Sequence, residues 1–279
     1  MRFIIKILIL FVLCSNNSFA SQYVLGTAHY LGNEGVMIVG EQKKILFDPL
    51  FDKNYKRFTL VPEKLKLKML GNIEPFKNID AIFISHSHAD HFDANELSSY
   101  LHKYQNVQLI APKQAIDKLK LLPDHKKITK QLHEISMEVG EKPIEIFFDG
   151  FQIEVLRIPH VGWPDRADVE NLVYRVTLDN FTVMHLGDSD IDPVHYLPLS
   201  NFWSKKATHH AFIPGVFAVD ANSELSIKEL LNVKRITHIH IPMNVPDNLK
   251  ELKVDFFSIP DEIREIIDTG SSELKSVVN

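Results

Sequence analysis

The sequence predicts an α+β domain in which helices pack outside mostly β layers. Three observations carry this. Short β-rich runs are joined by strong hairpin signals at Asp149-Gly150 and Asp179-Asn180. Stretches with apolar residues at helical spacing lie between them. Residues 21–279 contain no linker-like or low-complexity segment, so they are expected to form one domain. Hydrophobic residues make up 45% and charged residues 24%, an ordinary balance for a globular protein with a sizeable core.

The first twenty residues, MRFIIKILILFVLCSNNSFA, form a separate unit. Arg2 and Lys6 precede an apolar run from Ile7 to Cys14, and small residues at Ser18 and Ala20 close the stretch. That is the layout of a secretory signal peptide, cleaved after Ala20. The apolar run is far short of the roughly 20 residues of a spanning helix, so no transmembrane anchor is expected after cleavage. Cleavage would remove Cys14, the only cysteine, leaving neither disulfides nor a thiolate nucleophile. An exported chain of this length without disulfides fits a bacterial periplasm.

Along the mature chain, GVMIVG and KKILFDP read as two short strands about Glu41-Gln42, and IDAIFIS as a strand buried on both faces. Asp93-Ala94-Asn95-Glu96 is a capping-box pattern, and Leu97, Tyr100, Leu101 and Tyr104 follow at helical spacing. VQLIAP is a further strand, and KQAIDKLKLL a helix closed by Pro123. IEIFF and FQIEVLRI form one hairpin, NLVYRVTL and FTVMHLG another. SELSIKELLNV reads as a helix entered at Ser223, and KRITHIHIP as a last inner strand.

The chemistry concentrates in ISHSHADHFD, residues 84–93, between a strand and a capped helix. His86 and His88 are two apart on an extended segment and share a side, and Asp90 and His91 follow where the chain turns. Imidazole and carboxylate donors together suit zinc, iron or manganese, with zinc the default for an exported hydrolase. His160 and Asp188 stand at the ends of two later strands, FQIEVLRIP and FTVMHLG, where a site on one rim of a sheet would draw its ligands.

HSHADH, then His160, then Leu-Gly-Asp with Asp188, is similar to the metallo-β-lactamase-fold hydrolase superfamily. The resemblance extends from YLGNEGVMIVGEQKKILFDPLF through NLVYRVTLDNFTVMHLGDSD and spans nearly the whole mature chain. It implies a four-layer αββα sandwich with two divalent metal ions at its edge. His86, His88 and His160 would hold one ion, Asp90 and His91 the second, and Asp188 would bridge them. For the seventh ligand the resemblance points to Asn244 in THIHIPMNV, and His240 is the alternative if the register differs. A metal-bridging hydroxide would attack the substrate, with Asp90 orienting it and accepting its proton. An aspartate at position 188 implies that β-lactams are not the main substrates. The pattern looks closest to a lactonase and phosphodiesterase branch, so a phosphodiester, lactone or related ester is expected.

Without Arg2 and Lys6, Lys plus Arg falls from 31 to 29 against 36 acidic residues, and net charge moves from −5 to −7. That excess disfavours a nucleic-acid partner. The basic segment from Lys53 to Lys68 reads first as a solvated face and second as a contact for an anionic, small or lipid-like substrate. His209 and His210 are expected near a pocket loop or as ordinary loop histidines. The alternative to an enzyme is a periplasmic metal- or ligand-binding protein on a degenerate scaffold, with Asn244 marking the loss of one ion.

Overall fold

Each half of the chain begins with hairpins and continues through parallel crossovers, and each half builds one sheet. The structure, a computed structural model, describes residues 23–268. The first half runs β1 (Tyr23–Gly32), β2 (Gly35–Val39), β3 (Lys44–Phe47), α1 (Glu63–Leu70), β4 (Ala81–Phe83), α2 (Ala94–Lys103), β5 (Gln108–Pro112), α3 (Lys113–Lys120) and β6 (Leu132–Ile135). The second runs β7 (Ile144–Phe148), β8 (Phe151–Arg157), β9 (Leu172–Leu178), β10 (Phe181–His185), α4 (Ser200–Lys205), β11 (Thr208–Pro214), α5 (Ala221–Leu230), β12 (Val233–Ile239), α6 (Asp247–Leu252) and β13 (Ile263–Asp268). The expected signal peptide, residues 1–20, lies outside the described residues. No helix among them is long and apolar enough to cross a membrane.

One sheet has the order β13-β1-β2-β3-β4-β5-β6, the other β12-β11-β10-β9-β8-β7. The last strand therefore returns to pair with the first half through β1. Both predicted hairpins form. Asp149 and Gly150 have φ of 47° and 85°, the left-handed pair that matches strand twist. Strand alternation then divides the core into layers. On β9, Leu172, Tyr174 and Val176 face the other sheet beside Phe47, Phe83 and Phe181, while Val173 faces outward with Met184 and Trp203. On β5, Ile110 faces inward and Leu109 and Ala111 meet the helices of the first half. The result is the expected αββα sandwich.

Several elements differ from the sequence reading. The basic stretch before Gly71 is partly helical, because Leu65 and Met69, four apart on α1, bury against the sheet while Lys64 and Lys68 face water. Helix α5 begins two residues before Ser223, capped by the Asp220 carboxylate, which accepts from the backbone N–H groups of Asn222 and Ser223. ATHHAFIP is a buried strand, β11, rather than a loop. His210 on it is stacked on Phe212 and bonded to Thr237 Oγ1 at 2.7 Å, so it is a core residue.

Under α4, Arg175 on β9 faces its cross-strand partner Glu154 on β8 with two bonds of 2.8 Å, and its guanidinium lies 4.1 Å from the Phe202 ring centroid. Arg175 is fully buried. Arg175→Ala is expected to cost about 3–5 kcal/mol, because it leaves Glu154 buried with only Lys206 as a charged partner. Urea unfolding measures this, and a loss below about 1 kcal/mol would mean the pair behaves as a solvated one.

Candidate metal centre

The strand ends of both sheets meet at one rim of the sandwich. After β4 the chain runs through residues 84–93 and enters α2, whose first turn is anchored by Asp93 accepting from Glu96 N at 2.8 Å. Only half of the expected capping box forms, since the Glu96 carboxylate bonds Lys66 instead. The segment after β8 delivers His160, and the turn after β10 delivers Asp188. That turn requires glycine: Gly187 has φ of +55°, and a Cβ there would lie 2.6 Å from Ser85 Cβ.

Four groups of potential ligands result, each with donor atoms within 4.8 Å of one another. They are His86, His88 and His160; His86, His91 and Asp188; Asp90, His91 and His240; and Glu34, Asp48 and His185. The first three form one continuous cluster. Asp188 Oδ2 lies 3.4 Å from His160 Nε2 and 3.6 Å from His91 Nε2, and its Oδ1 lies 3.4 Å from His240 Nε2. Asp90 Oδ2 lies 3.5 Å from His240 Nε2 and 3.7 Å from His91 Nε2. These separations are too long for good hydrogen bonds. They match the spacing of about 3.4 Å between neighbouring donors held at about 2.1 Å around a tetrahedral zinc.

The remaining ring atoms are already committed, which fixes the free nitrogens. His160 Nδ1 donates to the Val161 carbonyl at 2.7 Å, and His91 Nδ1 donates to Asp48 Oδ2 at 3.0 Å. His86 Nδ1 faces Ser85 Oγ, which in turn donates to Asp48. Left over are His91 Nε2, His160 Nε2, His240 Nε2 and Asp188 Oδ1, all buried and without a hydrogen-bond partner. Orphaned polar atoms gathered at one point, backed by a carboxylate that fixes a ring orientation, fit a divalent cation.

Protonation agrees with that fit. Burial, followed by the neighbouring imidazoles, lowers His86 well below the usual histidine range and His88 to about 4. Burial would raise Asp188, but His240 and His91 hold it well below the usual carboxylate range. Asp90 is lowered as well, since His240 and His91 outweigh its burial. Neutral imidazoles and ionised carboxylates are the forms that bind metal. Burial would lower His91, yet Asp188 and Asp48 raise it well above its usual range, so in the metal-free protein it holds a proton that an ion would displace.

His86, His88, Asp90, His91, His160 and Asp188 are all brought together. Asn244 is not. It is exposed, beyond the end of β12, and lines neither cavity over the cluster. His240, the alternative read from the sequence, brings its Nε2 to the cluster in the role for which the sequence favours Asn244. The sequence also gave no role to the residues that hold the ligands. Asn33 donates from its side chain to the Asp90 carbonyl at 3.0 Å and accepts from the His240 N–H at 3.1 Å. Asn171 accepts from Asp188 N at 3.0 Å and donates to the Leu186 carbonyl at 3.1 Å. The Glu34–Asp48–His185 group is a support rather than a second centre, because both ring nitrogens of His185 are bonded, to Gly187 N and the Glu34 carbonyl. An asparagine directly after a glycine, as in Gly32-Asn33 where Asn33 has φ of 42°, is a turn signal that could have marked that position.

Comparison with known proteins agrees with this geometry. Residues 27–197 match the model of the "Beta-lactamase superfamily domain" family. Among solved structures, the metallo-beta-lactamase fold protein YhfI from Bacillus subtilis superposes with a TM-score of 0.57 at 17% identity, covering 86% of this chain and 98% of its own. Igni18, a metallo hydrolase from the hyperthermophilic archaeon Ignicoccus hospitalis, gives 0.54 at 16% identity, with 88% and 98% covered. The isothiocyanate hydrolase from Delia radicum gut bacteria gives 0.55 at 14% identity, with 87% and 100% covered. No curated protein matches the chain in sequence. With its αββα layers, its rim of convergent histidines and aspartates, and a family match over most of that frame, the chain belongs to the beta-lactamase superfamily.

Proposed function

We propose that the protein is an exported, dinuclear metal-dependent hydrolase acting on a phosphodiester, a lactone or a related ester. The observation that carries this reading is the convergence of His91, His160, His240 and Asp188 through atoms that have no other partner. His86, His88 and His160 would hold one ion, Asp90, His91 and His240 the other, with Asp188 between them. Zinc is the first expectation, with iron or manganese as alternatives for the same donor set. Export rests on the charged, apolar and small-residue order of residues 1–20, and the periplasm is the compartment proposed.

Two divalent ions bound there would polarise a substrate oxygen and acidify a water. The chain's own groups supply the rest. Asp90, ionised and lining the cavity, would orient the attacking water and accept its proton on the carboxylate oxygen not given to an ion, and it is kept in place by Asn33. Asp188, screened by His91 and His240, remains anionic through the reaction. Asp48 and Ser85 fix the ring orientations of His91 and His86, so the donor positions are set before substrate arrives. The binding-protein alternative has as its ground the replacement of a ligand by Asn244, and the position of His240 beside Asp90 and Asp188 supports the enzyme reading over it.

The test is turnover of a phosphodiester, a lactone and a β-lactam by protein stripped with a chelator and then given zinc. Turnover of one of the first two that vanishes on stripping and returns with about two equivalents of metal is the expected result. Turnover indifferent to metal, or none in any state, would rule the reading out.

A further inference from the structure

Two cavities open over the metal ligands and meet there. One, of about 620 Å³, is lined by His88 and Asp90 together with Tyr55, Arg57, Gly162 and Arg166. The second, of about 440 Å³, is walled by Val216, Val219, Pro246 and Leu249. Arg57, Phe58, Val161, Asp188 and His240 line both, so the pair is one cleft crossing the centre. Beyond Val219 lies a further hollow of about 540 Å³ walled by Ile191, Leu197 and Phe217.

The two cavities differ in chemistry, with Arg166 lining the first alone and Arg57 standing at their junction. Arg157, Arg175 and Arg264 are ion-paired, whereas Arg57 and Arg166 have no ion-pair partner among the described residues. Arg57 rests against the Phe58 ring at 5.2 Å, and both arginines are exposed residues that line the first cavity. In an acidic chain, two uncommitted guanidinium groups beside a metal centre make an anion site. At the far end, Val216 and Val219 are 42% and 59% exposed, and Ile191 and Leu197 are 41% and 57% exposed, a contiguous apolar surface leading away from the ligands. A small hydrophilic substrate has no use for it.

We propose that the substrate is an anionic amphiphile, bound in one orientation. Its anionic group lies against Arg57 and Arg166, its scissile ester lies over Asp90 and Asp188, and its apolar chain follows the Val216–Val219 groove toward Ile191. This rests on the hydrolase reading for the position of the ester, and it adds the substrate class and the residues that select it.

The experiment is calorimetric binding of methylphosphonate and octylphosphonate to zinc-loaded protein, with octylphosphonate kept monomeric. Octylphosphonate is expected to bind at least about tenfold more tightly, since a buried methylene contributes about 0.8 kcal/mol. The exposed double variant Val216→Asn/Val219→Asn should shrink that gap to about threefold or less. Arg57→Ala/Arg166→Ala should weaken both ligands by about tenfold or more and keep the gap. Equal affinity for the two ligands, a gap that survives the valine changes, or arginine variants that bind as the parent does would overturn the proposal. Because binding is read without turnover, an inactive but chain-selective protein would sink the hydrolase reading alone.

Discussion

Asp188→Ala is expected to lower metal-dependent turnover by roughly 10³-fold or more while leaving the protein folded. Asp188 is the one side chain with an oxygen facing each set of histidines: Oδ2 toward His160 and His91, Oδ1 toward His240. Its removal takes a donor from both sets together, and the neighbouring carboxylates do not replace it: Asp90 already faces His91 and His240, and Glu34 lies on the Nδ1 side of His91, away from the ring nitrogen turned to the cluster. The fold does not depend on it in the same way. The turn is held by main-chain and Asn171 contacts, with Asp188 N donating to Asn171 Oδ1 and the Val161 N–H donating to the Asp188 carbonyl. The carboxylate itself lies close to Glu34, and each raises the cost of charging the other. Against that stands its pairing with His240 and His91, which hold it ionised in the folded state, so metal-free Asp188→Ala should melt at or modestly below the parent's temperature. It should lose the rise in Tm that zinc gives the parent, because that rise is set by the affinity of the folded state for the ligand. A melting temperature well below that of the metal-free parent would mean the residue is structural. Retained turnover would mean it is not a ligand.

How far the sequence revealed this site follows from which residues act through local spacing. His86, His88, Asp90 and His91 lie within six positions between a strand and Asp93, so their convergence is nearly forced by the local chain. His160 and Asp188 could be found because each follows an apolar run that reads as a strand. The supporting residues could not. Asn33 and Asp48 sit 57 and 43 positions before Asp90 and His91, respectively, and only sheet pairing brings β1, β2 and β3 beside β4. His209 and His210 misled because a strand that opens Thr208-His209-His210 carries two histidines where β-branched or aromatic residues usually stand. The buried Thr237 that satisfies His210 belongs to the next strand.

His240 was hidden for a different reason. Alternation along KRITHIHIP places His238 and His240 on one face, which makes both look like core or both like ligands. The strand ends at Ile239, and His240 has φ of +56°, so its side chain leaves the alternating pattern. His238 stays buried, 3.8 Å from Glu224, while the His240 ring packs 4.0 Å from Phe58 and turns Nε2 to the cluster. The left-handed conformation is held from outside the strand, by the Asn33 carbonyl on the His240 N–H and by the Phe58–Pro242 bridge.

That geometry sets apart the two candidates for the seventh ligand by a large effect. His240→Ala should leave the first ion bound, since His86, His88 and His160 are untouched, and weaken the second by about 10²-fold or more. Metal content after mild dialysis should fall from about two per chain to about one, and turnover should fall with it. Asn244→Ala should change neither by more than about twofold, because Asn244 is exposed and lines neither cavity over the cluster. The comparison is sharper than either variant alone. If His240→Ala keeps both ions and Asn244→Ala loses one, the turn after β12 must rearrange when metal binds, swinging Asn244 inward by abandoning the Met243 N–H bond to the Arg57 carbonyl. If both variants keep two ions, water completes the second site and His240 serves Asp90 and Asp188 only as a charge partner. If only His240→Ala loses an ion, Asn33 gains a measurable role. Its side chain holds Asp90, while its main-chain carbonyl, which alanine keeps, holds His240, so Asn33→Ala should give a weaker form of the same loss through Asp90 alone, about tenfold in affinity for the second ion, with the first unaffected.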